Sequence, residues 1–203
     1  MRIISGTAAG TILKVPKGFD VRPTPDLVRQ AIFNSLGARV GEARVLELFG
    51  GTGALCLECL SRGAAHAVCV EKSGKHAGFI RQNWELARLP NGVLEVRTQD
   101  AFAAIAQLAS AGEQFDLVFA DPPYGEKNVG RRSTSFAQQM LDDANLPKLV
   151  SANGIFILGH TKRDTLSFPE IWTETKMLKH GDTVMRFLKP RINTKLETPE
   201  INL

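Results

Sequence analysis

The apolar run Phe115–Ala120 ends on Asp121-Pro122-Pro123-Tyr124, and this junction limits the fold tightly. Apart from Asp116 the run is apolar, the composition of a strand covered on both faces. Two successive prolines lack the amide hydrogens that a ladder needs, so a central strand must stop there and the chain must turn. A carboxylate, a rigid carbonyl-bearing backbone and an aromatic ring are thereby set at the carboxyl end of a strand. In open α/β sheets that edge is where ligands bind. An acidic turn with Tyr124 packed as a cover is the plainer alternative.

The flanking sequence supplies such a sheet. Residues 44–49 read as a strand, Gly50-Gly51-Thr52-Gly53 as a turn, and residues 54–60 as a helix ended by Gly63. Strand, glycine turn and helix make the nucleotide-binding first unit of a doubly wound sheet. The loop is not a full dinucleotide fingerprint, because Cys56 stands at the third glycine position, and a simple tight turn also explains it. Residues 67–71 are the next strand. Glu71 ends it twenty residues after Gly51, where an acidic side chain holds ribose hydroxyls; alone, it is equally a solvated strand end. A helix over 73–89 and a strand over 93–97 follow. Asp100 then stands where a carboxylate meets an adenine amino group or caps a helix over 101–111, and both roles are compatible. Residues 125–133 are polar, basic and glycine-containing, either a lid over substrate phosphates or a solvated loop. A helix over 134–145 and strands over 154–160, 171–178 and 183–188 complete the body. His160 is a polar strand-end residue with no expected catalytic role, and residues 190–203 are a loose tail.

Ahead of this unit, residues 1–16 read as a β-hairpin with turn residues at Ser5-Gly6 and Gly10. Two strands alone are marginal, so the hairpin must dock on the body or on a partner. Thr24 and Pro25 read as N-cap and first residue of a helix that carries Leu27, Ala31, Ile32, Phe33 and Leu36 and stops at Gly37. That helix either covers a sheet edge or, with Arg22, faces a phosphate or cofactor. The boundaries are a hairpin extension at 1–21, one domain at 22–190 and a tail at 191–203. A chain of 203 residues suits this.

Charge and cysteine content narrow the partners. Residues 1–39 carry six basic residues against two acidic ones, which is the whole net charge of +4. A localised basic excess suits a polyanion such as nucleic acid, though four charges also fit a merely solvated surface. Cys56 and Cys59 sit inside an apolar helix without a second ligand pair, and Cys69 lies in a strand. They read as buried structural thiols, and no metal is expected. No apolar stretch spans a membrane and the first residues do not read as a signal peptide, so the expected location is the cytoplasm.

The chemistry that wants this set is alkylation of a planar exocyclic amine. The nitrogen lone pair of such an amine is delocalised into the ring, which makes it a poor nucleophile. Asp121 and the Pro122 carbonyl would each accept one of its hydrogens and favour the pyramidal, reactive form, while Tyr124 stacks on the base.

Strand, glycine loop, Glu71, Asp100 and Asp-Pro-Pro-Tyr, in this order and spacing, resemble the class I S-adenosylmethionine-dependent methyltransferases. Within them the chain is similar to the RsmD family of 16S rRNA guanine-N2 methyltransferases, from Met1 to about Pro190. The carriers are Met1–Gly6 with Gly10, Arg22-Pro23-Thr24, residues 46–55, Glu58 with residues 60–64, Val70-Glu71, and residues 115–124. The resemblance implies an α/β, Rossmann-like, mostly parallel seven-stranded sheet with helices on both faces and an amino-terminal β-hairpin. It implies S-adenosylmethionine as cofactor and methyl transfer to N2 of guanine 966 (conventional numbering) of 16S rRNA in an assembled or assembling 30S subunit. The chain is expected to act as a monomer. Catalysis falls to Asp121, Pro122 and Tyr124. Cofactor contacts fall to Glu47, Phe49, Gly50, Gly51, Thr52, Gly53, Glu71, Lys72, Asp100, Ala101 and Asp121. RNA contacts fall to Pro123, Tyr124, Arg22, Thr24, Arg2 and Lys14. The chain departs from the family at Glu47 (usually Asp), Thr52 (often Ser), Cys56 (usually a small glycine) and Gly159-His160 (often Glu). Competing readings are a DNA-adenine or other amine methyltransferase, an inactive ribosome-assembly RNA-binding module and, more distantly, a nicotinamide-dependent oxidoreductase.

Overall fold

The computed structural model describes residues 1–16, 24–124 and 131–191. Arg22, the greater part of the 125–133 loop and the tail beyond residue 191 lie outside them. Seven strands form one open sheet in the order β3-β2-β1-β4-β5-β7-β6. They are β1 (Arg44–Leu48), β2 (His66–Val70), β3 (Leu94–Arg97), β4 (Phe115–Ala120), β5 (Val150–Thr161), β6 (Trp172–His180) and β7 (Thr183–Pro190). β1 to β5 are mutually parallel, and β7 runs antiparallel between β5 and β6. Strand order reverses between β1 and β4. The loops leaving these two strands diverge to opposite faces and leave a crevice at their carboxyl ends.

Period-two alternation divides the strands between two cores. Val45, Leu117, Phe119, Ile157 and Phe187 face one side, under α1 (Asp26–Leu36), α2 (Ala54–Ser61) and α3 (Gly74–Ala87). Leu46, Leu48, Val118, Phe156 and Leu158 face the other, under α4 (Ala101–Ser110) and α5 (Phe136–Asp142). Helices thus cover both faces, as a parallel sheet requires. No helix among the described residues is long and apolar enough to cross a membrane.

Several expected boundaries move. Phe49 is not part of β1: its φ of 60° puts it in the left-handed region and turns the chain out of the strand. α3 ends at Ala87, capped by Arg88 at φ 50°, short of the expected end at residue 89. Thr24 is not the N-cap of α1. Pro25 holds that position without a side-chain bond, because the Thr24 hydroxyl is committed elsewhere. Gly37 does end the helix, with positive φ.

The hairpin is present in its smallest form. One antiparallel bridge joins Arg2 and Ile12, flanked by bonds from Ile3 N to Thr11 O and from Leu13 N to Met1 O. So short a ladder needs anchorage, and α2 provides it through a buried carboxylate. Glu58 accepts from Ile4 N at 2.7 Å, Ser5 N at 3.0 Å and Arg62 Nε at 2.8 Å. Arg29, fully buried in α1, lies 3.8 Å from Glu58 and donates to Asp26 and to the Arg2 carbonyl. Gly6 closes the dock: a Cβ there would lie 1.8 Å from the Ser61 carbonyl. Farther along, Asn83 of α3 clasps the Lys14 backbone with both ends of its amide and also donates to the Thr52 carbonyl. The extension is therefore bonded to the glycine loop.

Glu58→Ala should destabilise the protein by about 3–5 kcal/mol, because it leaves two backbone amides without their acceptor and removes a buried counter-charge beside Arg29. Urea denaturation at neutral pH measures this. A loss under about 1 kcal/mol would show that the hairpin does not depend on that carboxylate.

Candidate active site

The crevice at the switch point holds a cavity of about 410 Å³. One wall comes from the β1–β2 side, with Phe49, Gly51, Val70, Glu71, Lys72, Ser73 and His76. Gln99, Asp100 and Ala101 follow from the end of β3, Asp121 to Tyr124 from the end of β4, and Phe136 from the start of α5.

The glycine loop is shaped by its close neighbours. Gly53 is the N-cap of α2 at φ 73°, and a Cβ there would lie 2.9 Å from Ile80. At Gly50 a Cβ would lie 2.4 Å from the Cys69 sulfur. Glu71 then fixes the loop from the next strand. Its Oε2 accepts from Gly51 N at 2.8 Å and its Oε1 from Ser73 N at 2.7 Å. A carboxylate has about four lone-pair sites, so Glu71 can still take two hydroxyl donors.

Asp100 caps α4 through bonds from Phe102 N and Ala103 N to Oδ1, while Lys72 Nζ lies 3.3 Å from Oδ2. Burial pulls its pKa up, but the Lys72 ammonium and the two amides outweigh it and hold it below the ordinary value. Of the two roles left open for Asp100, capping is thus realised, and the second oxygen still faces a cation at the cavity. Behind this corner the rings of Phe49, Phe102 and Phe136 pack together, with centroids 5.7–6.5 Å apart. Phe49 and Phe136 give the cavity an apolar wall, with Phe102 packed behind them.

Asp121 leaves β4 half-buried. Its Oδ2 accepts from the Thr24 hydroxyl at 2.5 Å. Its Oδ1 is buried without a hydrogen-bond partner among the described residues and packs on Gly159 of β5, where an added Cβ would lie 2.3 Å away. Burial raises the Asp121 pKa, and the Thr24 bond opposes this only in part. Tyr124 is partly exposed at the rim, with its hydroxyl 3.0 Å from Thr183 Oγ1 at the start of β7.

Phe49, Gly51, Glu71, Lys72, Asp100, Ala101 and Asp121 to Tyr124 therefore converge on one cavity. Glu47, Gly50, Thr52 and Gly53 are not in its lining: the last three belong to the glycine loop, and Glu47 lies buried beneath it. Thr24 meets Asp121, while Arg2 and Lys14 sit on the hairpin away from the lining, with Lys14 Nζ on Gln82. Arg22 lies outside the described residues. Sequence reasoning missed Val70, Ser73, His76, Gln99, Phe102 and Phe136. Ser73 carries a signal, since it is the N-cap of α3, but nothing in the sequence joins Phe136 to Phe49.

Glu47 has a distinct setting. It is buried beneath the loop, accepting from Cys56 N at 2.8 Å, with the Cys69 sulfur at 3.6 Å. The cysteines are buried and free as expected, but the sulfur neighbour of Cys56 is Cys69 rather than Cys59. Ligand atoms of Glu47, Cys56 and Cys69 lie within 4.8 Å of one another, a grouping that spacing alone does not reveal.

The sheet order, the loop and the cavity define a class I S-adenosylmethionine-dependent methyltransferase. Residues 1–189 match the family described as Conserved hypothetical protein 95, and the chain belongs to that family, the RsmD family. Haemophilus influenzae Ribosomal RNA small subunit methyltransferase D is 30% identical over 176 residues, 87% of this chain and 86% of that protein. The Escherichia coli K12 protein of the same name is 39% identical over 124 residues, 61% of this chain and 60% of its own length. Among solved structures, Escherichia coli yhhF aligns with a TM-score of 0.74 at 28% identity, covering 94% of this chain and 97% of that one.

Burial pushes the Glu47 carboxyl from 4.5 up to about 7. The folded state then holds a proton that the unfolded chain releases, so stability falls as pH rises from 4.5 to about 7. Glu47→Gln should remove roughly 3 kcal/mol of that fall, read by urea denaturation at the two ends of the window. An unchanged pH dependence would place the titration on another group.

Proposed function

We propose that the chain transfers a methyl group from S-adenosylmethionine to the exocyclic N2 of a guanine in small-subunit rRNA, guanine 966 in the conventional numbering. It would act in the cytoplasm as a monomer on an assembled or assembling subunit. The observation that carries this reading is Asp121: a carboxylate at the cavity wall, with one oxygen oriented by Thr24 and the other lacking a donor, beside the Pro122 carbonyl and Tyr124. The names of the Escherichia coli and Haemophilus influenzae relatives support the substrate class.

The residues at the two ends of the cavity suit the two reactants. Glu71 would accept the ribose hydroxyls with its remaining lone pairs, and Asp100 with the Phe49–Phe136 wall would hold the adenine. S-adenosylmethionine supplies a methyl already activated on a sulfonium. At the other end Tyr124 would stack on a guanine turned out of its helix, which costs least in a loop. Asp121 and the Pro122 carbonyl would draw the two amine hydrogens, localise the nitrogen lone pair and aim it along the line of displacement. As the nitrogen–methyl bond formed, the sulfonium–methyl bond would break with its electron pair left on sulfur as a neutral thioether, and the surplus amine proton would pass to the Asp121 carboxylate, whose raised pKa suits it to receive one.

Mass mapping of rRNA from cells with and without the protein tests the reaction. N2-methylguanine should vanish from one small-subunit site when the protein is absent. In vitro, activity on small subunits or rRNA but not on DNA is expected, and methylation of DNA alone would overturn the reading.

Asp121→Asn keeps the shape but should lower kcat about a hundredfold or more, leaving cofactor Kd within about twofold. Gly159→Ala should do likewise, because its methyl group would displace the carboxylate. The wild-type rate should rise with pH through a pKa above the ordinary aspartate value, since the ionised form is the acceptor. Wild-type turnover in Asp121→Asn would remove this carboxylate from the chemistry.

A further inference from the structure

Beyond Tyr124, outside the lining of the cavity, the same sheet edge carries cations that neither the cofactor end nor the core uses. β5 runs parallel to β4, β7 runs against β5 and β6 against β7. The end of β5, the end of β6 and the start of β7 therefore lie at the same sheet edge as Asp121. The register agrees: Thr183 is the partner of both Thr161 and His180, and Tyr124 reaches Thr183 from the end of β4.

This edge is braced. Lys162 N donates to the Asp182 carbonyl at 2.8 Å, tying the β6–β7 turn to the end of β5. Lys162 Nζ and Arg163 Nη2 lie 2.8 and 3.7 Å from the two Asp182 carboxylate oxygens. Behind the turn, Arg186 Nε donates to His160 Nε2 at 2.9 Å and His160 Nδ1 faces the Thr161 carbonyl, an arrangement that keeps the imidazole neutral. Asp164 is buried. The exposed charge of the turn is Lys162, Arg163 and Lys179 against the single carboxylate of Asp182. Lys162 and Arg163 remain more than half exposed despite their ion pairs, so their charge still faces solvent.

We infer that this turn is a phosphate-binding lip. Lys162, Arg163 and Lys179 hold the RNA backbone next to the nucleotide that Tyr124 receives. The inference rests on the reading that the substrate is RNA. A base that leaves its stack needs its flanking phosphates held, and phosphate contacts set register without reading sequence. A braced turn presents its cations with less loss of freedom than a loose loop would. The sequence hides this lip, because basic and acidic residues balance after residue 39 and only the fold gathers the exposed cations at one edge.

The test uses the full chain, a naked small-subunit rRNA fragment and assembled subunits. Arg163→Glu and Lys179→Glu are made singly and together, with Lys148→Glu before β5, at the opposite sheet edge, as the control. Affinity for the naked fragment should fall several-fold in each single variant and about tenfold or more in the double variant at 0.1 M salt. The slope of log affinity against log salt should become shallower by roughly 0.7 for each phosphate that is no longer neutralised. Cofactor Kd, Tm and the Lys148→Glu variant should match wild type. Unchanged RNA affinity and salt slope in the double variant, with wild-type methylation intact, overturns the lip. So does weakening seen only on assembled subunits, which would assign the turn to a ribosomal protein. If the wild-type chain binds and methylates no RNA at all, the RNA reading of the site falls first.

Discussion

A carboxylate at the end of a strand buried on both faces is the constraint around which the structure is arranged. Asp121 lines the cavity, but its Oδ1 is buried, so protein groups must hold the carboxylate. The Thr24 hydroxyl takes one oxygen and the missing side chain of Gly159 makes room for the other. A buried acceptor without a donor is costly, and structures keep such costs where function repays them.

The same strand end explains why the amino-terminal segment matters. Thr24 stands just ahead of α1, so the chain that brings the hydroxyl to Asp121 also carries the hairpin. Glu58 and Arg29 fix the hairpin to α2 and α1, and Asn83 fixes its exit to the carbonyl of Thr52. Cofactor loop, extension and Asp121 thus form one bonded unit. The extension is thereby mechanically coupled to the Asp121 carboxylate.

Much of the fold was legible because period and punctuation agreed. The strand–glycine–helix unit, Glu71 at its spacing and the proline pair each followed from local rules and emerged where the rules put them. Where local rules conflicted with tertiary demand, they lost. Thr24 has the residue type and position of an N-cap, yet a buried carboxylate is a better partner for its hydroxyl than α1's first turn. Phe49 reads as the last residue of a strand. Its ring packs against Phe102 and Phe136 instead, and the chain accepts a left-handed φ there.

From the amino-acid sequence alone come the doubly wound class, the edge where the site lies, and the acidic residues that line it. These depend on short-range chemistry: where prolines end a ladder, where glycines permit a turn, where apolar residues alternate. Only the folded chain decides which groups from distant segments meet. The seat of Asp121 on Gly159, the aromatic wall completed by Phe136, the pairing of Glu47 with Cys69 and the cationic turn beyond Tyr124 all join residues of different strands and helices. Their proximity is set by strand order and register, which no local pattern encodes.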